Sequence, residues 1–153
     1  MIYISLNAGI SVMAKRALAD SGAVTRPDVV FAGPQPALFW QRELIWRENG
    51  RIGRARYDLA SGFNGLEPAV PDNMDHPLVR RARRVDREII GFLRWSVLPI
   101  ATIERSRCRA VVSFGDARFG SPRVSARFLR TVELLLGERG CPPVAGDGLA
   151  KAK

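Results

Sequence analysis

Hydrophobic and polar positions alternate most cleanly between Leu38 and Leu59, and the alternation is interrupted once, at Asn49-Gly50. Asn-Gly suits a two-residue type I′ turn, because both central residues there need positive φ. Folding the chain at that point sets Glu48 opposite Arg51, Trp46 opposite Gly53 and Leu44 opposite Ala55. Further out, Arg42 faces Tyr57 and Trp40 faces Leu59. This register gathers Trp40, Leu44, Trp46, Ala55, Tyr57 and Leu59 on one face, with large residues covering small ones. The other face sets Glu43 against Arg56 as a cross-strand ion pair. A slip of one residue would bury that pair and expose two tryptophans, so the pattern predicts the hairpin in this register.

Other segments are read the same way. Asp28 to Ala32 is a short apolar strand that leaves into Gly33-Pro34. Residues 60–75, rich in Gly, Pro, Asn and Asp, predict a long surface loop. Asp75 is placed to cap a helix with Pro77 in its first turn. Leu78, Ala82, Val85, Ile89 and Phe92 form the apolar stripe of that helix, and Arg80, Arg81, Arg83, Arg84 and Arg87 lie off it. Pro99 ends it. Ile100 to Glu104 and Arg109 to Phe114 predict a second hairpin around Arg105-Ser106-Arg107. From Pro122 the alternation of Val124, Ala126, Phe128, Val132, Leu134 and Leu136 predicts a strand, although Phe128 to Leu136 also fits a helix stopped by Gly137.

At the amino end, Met1 to Met13 carries no charge and Lys15-Arg16 follow. Leu6, Ile10, Met13 and Ala17 recur at helical spacing, with Gly22 as a stop. A membrane-spanning helix needs about 20 apolar residues, so this stretch is either an amphipathic helix or the end of a span. The sum is an α+β fold. It has a mostly antiparallel sheet built from two hairpins and a C-terminal strand, packed with an N-terminal helix and one central amphipathic helix. The expected boundaries are a helix over 1–21, a domain over 28–136 and a disordered tail over 137–153.

Composition changes this picture in two places. A length of 153 residues suits one domain, but the net charge of +9 is unusual, and 21 of the 24 basic residues are arginine. Arginine pairs bidentately with phosphate, so nucleic acid or an anionic membrane surface is a candidate partner. An arginine-favouring genome explains the same count, because lysine is scarce along the whole chain. Positive segments near membrane spans tend to stay on the cytoplasmic side. Cys108 and Cys141 show no CxxC spacing, so reduced, incidental thiols are expected.

A hydrolytic metal site needs several convergent His, Asp, Glu or Cys ligands and an open position for water. The chain has one histidine, His76, in Asp72-Asn73-Met74-Asp75-His76-Pro77, where Asp75 as the helix cap and His76 as an exposed first-turn residue compete with ligation. Any Ser-His-Asp or Cys-His set would have to use it. GxSxG, GxxxxGK[ST] and GxGxxG are absent, so acyl, phosphoryl and dinucleotide chemistry lose their usual markers. Asp116 and Arg118, two apart at a strand end, suit either an ion pair that locks the backbone or an anion site. A small free-standing enzyme would use Asp116 and Arg118, with or without His76.

Several motifs occur in a fixed order: Gly33-Pro34-Gln35-Pro36 into Phe39-Trp40, then Arg51-Ile52-Gly53-Arg54 to Tyr57. Phe92-Leu93-Arg94-Trp95-Ser96 with Pro99 follows, and then Asp116-Ala117-Arg118-Phe119. Over residues 1 to about 136 the chain resembles the C-terminal region of predicted bacterial inner-membrane, membrane-bound metal-dependent hydrolases, the group also described as LexA-binding. The resemblance implies a soluble accessory domain at the inner membrane, peripheral or anchored, on the cytoplasmic side or else in the cytoplasm. Its partner would be the membrane or the membrane-embedded portion of the same family. It also implies that Met1 to Met13 is the remnant of the last span, in a fragment or a shortened reading frame. The divalent metal belongs to the family's N-terminal portion, so no cofactor and no catalytic residue carries over to this chain. Asp116, Arg118, Trp95 and Trp40 match family motifs to which no proven role is attached.

Overall fold

The structure is a computed structural model that describes residues 2–35, 38–119, 128–137, 141 and 149–150. It is an α+β fold with antiparallel pairing throughout. The chain divides into two compact units, residues 1–71 and 72–153. The expected 28–136 domain is thus cut at 71/72, because alternation marks strands without saying which strand joins which sheet.

In the first unit, helix α1 (Ile2–Asp20) packs on a four-stranded sheet of order β1-β2-β3-β4, comprising β1 (Val29–Gln35), β2 (Leu38–Glu48), β3 (Arg51–Asp58) and β4 (Gly62–Pro71). The β2–β3 hairpin has the predicted register, including Trp46↔Gly53 and Leu44↔Ala55. Asn49 and Gly50 both have positive φ, as a type I′ turn requires. A methyl group on Gly53 would collide with the Trp46 indole. Leu44, Trp46, Ala55 and Tyr57 are buried, whereas Trp40 and Leu59, at the open end of the hairpin, are exposed. Glu43 sits opposite Arg56 in the ladder, yet its carboxylate pairs with Arg54 at 2.7 Å.

Two expectations change here. The loop read over residues 60–75 contains β4, and β1 runs on through Gly33-Pro34. Both are edge strands, where a proline removes no ladder bond that the sheet needs. The β3–β4 register shifts twice, and Gly65, at φ +62°, lies in the shifted stretch.

The buried face of α1 also differs from the predicted one. Ile10, Ala14 and Leu18 are buried, whereas Leu6 and Met13 are exposed. A buried arginine accounts for the rotation. Arg42 lies on the inner face of β2, fully buried. Its Nε donates to the Ser11 hydroxyl at 3.0 Å, and Nη2 donates to the Asn7 carbonyl at 3.0 Å and to Asn7 Oδ1 at 2.8 Å. Nη1 donates to the Phe39 and Gln41 carbonyls at 2.6 and 2.7 Å. A buried charge needs such partners, and Asn7 and Ser11 on α1 supply three of these five bonds.

In the second unit, the predicted single helix is two: α2 (Pro77–Val85) and α3 (Arg87–Trp95). Asp86 breaks them, with extended φ/ψ of −128° and 125°, and its carboxylate accepts from the Glu88 N–H at 2.8 Å. The N-cap of α2 is His76 rather than Asp75. It directly precedes Pro77, and its Nδ1 accepts from the Leu78 N–H at 3.2 Å. The helices cover a sheet of order β5-β6-β7-β8: β5 (Pro99–Arg105), β6 (Arg109–Asp116), β7 (Arg130–Leu135) and β8 (Leu149–Ala150). Val79, Ala82, Ile89, Ala101, Val112, Phe114, Val132 and Leu134 form its core.

The strand alternative at residues 128–136 is the one realised, since β7 pairs with β6. The expected strand residues Val124 and Ala126 lie outside the described residues. So does most of the expected disordered tail, but Leu149–Ala150 pairs with β7 and Cys141 is bonded. Cys108 and Cys141 form a disulfide with Cα atoms 5.4 Å apart, which corrects the reading of reduced thiols. Chain spacing gave no sign of it, because the β5–β6 turn and the chain after β7 meet only in the fold.

Two stability effects are expected. Asn7→Ala removes the side-chain acceptor Oδ1 from a buried cation, leaving the backbone carbonyl in place, and should destabilise the chain by about 1.5–3 kcal/mol in urea unfolding. Reducing Cys108–Cys141 reopens a loop with a separation of 33 residues and should lower stability by about 2–4 kcal/mol, with a matching loss in the Cys108→Ser variant.

Candidate functional site

Asp116 ends β6, and its side chain is shielded from solvent. Its Oδ2 accepts from the Ser96 hydroxyl at 2.6 Å, from the Val97 N–H at 2.9 Å and from the Leu98 N–H at 3.4 Å. Its Oδ1 accepts from the Arg118 N–H at 2.9 Å and from Arg118 Nε at 3.0 Å, while Arg118 Nη2 reaches Oδ2 at 3.0 Å. One carboxylate therefore joins the exit of α3, the entry to β5 and the 3₁₀ turn Ala117–Phe119. Burial alone would raise its pKa, but the Arg118 guanidinium, the Ser96 hydroxyl and the Arg118 and Leu98 N–H groups bring it down to about 2.

The other side of the Arg118 guanidinium meets aromatic rings. It lies 5.2 Å from the ring centroids of both Trp95 and Phe119. Trp95 is nearly parallel to Phe119 at 5.8 Å and to Phe128 at 6.1 Å, and Phe119 and Phe128 are 4.6 Å apart. Half of Trp95 remains exposed, and a cavity of about 480 Å³ opens beside it, lined by Glu88, Phe92, Phe128 and Arg130 among others.

The fold thus brings Asp116, Arg118 and Trp95 together, with Ser96 as the partner that sequence reasoning missed. Ser96 closes the Phe92-to-Ser96 motif, which was the available signal. Trp40 belongs to the first unit, where it packs edge-to-face on Phe39 at 5.1 Å. His76 caps α2 and is not among the groups bonded to Asp116. A carboxylate held near pKa 2 is a weak base at neutral pH, and Arg118 is committed to it. The arrangement suits a structural lock better than acid–base chemistry or an anion site.

Among the described residues, no group of three or more His, Cys, Asp or Glu side chains could hold a metal ion. These residues therefore do not fit the divalent metal that the resemblance implies for the family. No helix among the described residues is long and apolar enough to cross a membrane. The chain matches no family model, no curated protein and no solved structure.

Another cavity of about 480 Å³ lies between α2 and α3 and is lined by Arg80, Arg83, Arg84, Ile90, Leu93 and Arg94.

A lowered carboxylate pKa stabilises the fold above the unfolded value of 3.8, and that contribution is lost as pH falls toward 2. Stability measured in urea should drop by about 2 kcal/mol between about pH 4 and pH 2 from this group. The Asp116→Asn variant should be less stable at neutral pH and should lack that acid-dependent component.

Proposed function

We propose that this chain is a non-catalytic accessory module of a membrane-bound metal-dependent hydrolase and that α1 holds it against the membrane surface. The observation that carries this reading is the outward side of α1. Residues 2–14 contain no charged side chain, and Ile4, Leu6, Val12 and Met13 are between 46 and 69 % exposed. Lys15 and Arg16, both exposed, follow directly. A helix that buries Ile10, Ala14 and Leu18 on its sheet while leaving four large apolar side chains in water has a second surface to cover.

A lipid boundary fits that surface. The apolar side chains would enter the acyl edge, and the basic pair would meet anionic headgroups. The order of motifs from Gly33-Pro34 to Asp116-x-Arg118-Phe119 supplies the enzyme class that the module would accompany. Lys15-Arg16 bears on the cytoplasmic face of the membrane, whereas the Cys108–Cys141 disulfide bears on an oxidising one. The redox state of those two cysteines in cells decides between the faces.

Co-sedimentation of the full chain with vesicles of phosphatidylcholine and phosphatidylglycerol tests the docking. The wild type should partition onto them. A Leu6→Gln/Met13→Gln variant should bind at least about tenfold more weakly, given roughly 1.5–3 kcal/mol per buried apolar side chain. Equal partitioning of the two proteins would sink the reading.

A further inference from the structure

The break at Asp86 has a chemical result that a straight helix could not give. Along a continuous helix, Arg80 and Arg94 would stand about 21 Å apart, at 1.5 Å per residue. In the folded chain they line one groove with Arg83, Arg84, Ile90 and Leu93. Among the described residues, none of these four arginines is paired with a carboxylate, and no acidic side chain lines the groove. The acidic neighbours are engaged elsewhere: Asp86 caps α3, and Glu88 lines the cavity beside Trp95. Four like charges in one groove repel each other, and a bound anion would relieve the repulsion.

We propose that this groove is a phosphate-binding site and that its ligand is a phosphate monoester attached to an uncharged body. Guanidinium forks match phosphate oxygens bidentately, and a doubly charged group draws on four arginines better than a singly charged one. Arg83 and Arg84 lie in the last turn of α2, where the helix dipole favours their positive charge. Ile90 and Leu93 provide an apolar wall for the rest of the ligand, and the volume falls within the usual range for small-ligand sites. Nucleic acid is disfavoured, because its phosphates form a track whereas these arginines line one groove with aliphatic walls.

The site is independent of the docking by α1. Calorimetric titration of the full chain with inorganic phosphate and with glycerol 3-phosphate tests it. Co-sedimentation with phosphatidylcholine vesicles, with and without phosphatidic acid, supplies the lipid arm. The variants are Arg83→Gln/Arg84→Gln in the groove and Arg81→Gln/Arg87→Gln outside it. All four positions are exposed, both pairs remove the same charge, and glutamine keeps helix propensity close to that of arginine.

One site per chain is expected, weakened about tenfold or more in the groove variant and less than about threefold in the control. Binding of the soluble probes assigns a free phosphomonoester. Response to phosphatidic acid alone, lost in the groove variant and kept in the arginine control, assigns a lipid headgroup. Leu6→Gln/Met13→Gln should leave phosphate binding unchanged, which separates a failure of this site from a failure of membrane docking. Equal losses in both arginine variants, no binding in any arm, or tighter binding to duplex DNA with a steep salt dependence would overturn the proposal.

Discussion

A charge taken out of water must be met at nearly every donor or acceptor it presents, and each unit of this protein is organised around one such group. Arg42 in the first unit and Asp116 in the second are fully shielded side chains whose hydrogen bonds reach across element boundaries. Arg42 determines which side of α1 faces the sheet, because Asn7 and Ser11 supply the oxygens it needs. Asp116 fixes how the chain leaves α3 and enters β5, because the N–H groups of Val97 and Leu98 point at it. The apolar cores supply the greater part of the stabilisation, but they would tolerate a rotated helix or a shifted loop more readily than these polar nodes do.

The same constraint separates structural from functional chemistry. Asp116 and Arg118 carry the residue types of an active site, yet each is consumed by the other and by the surrounding backbone. The unabsorbed capacity lies elsewhere. One part is the apolar outer side of α1, and the other is the arginine groove between α2 and α3. The first is an exposed apolar surface and the second a groove lined by four arginines and two aliphatic side chains.

Asp86 links the break between two helices to the arginine groove in the second unit. It closes α2 and opens α3 with one extended residue, so the apolar stripe from Leu78 to Phe92 still reaches the core while the arginines turn toward one another. A residue of good helix propensity there would favour a single longer helix and disperse the groove.

The sequence by itself determined the β2–β3 hairpin and its register, because period-two burial and an Asn-Gly turn leave one pairing that hides both large and small residues. It also determined the second hairpin and the α+β class, since these depend on patterns a few residues long. Asp116 and Arg118 were recognisable as a pair for the same reason. Only the tertiary structure decided what rests on distant partners. It divided the strands between two sheets, turned the loop at residues 60–75 into an edge strand, and oriented α1 by its bonds to Arg42. It joined Cys108 to Cys141 and brought Arg94 to Arg80. Those outcomes depend on which surfaces and polar groups meet after folding, and no local pattern of hydrophobicity or spacing encodes such a meeting.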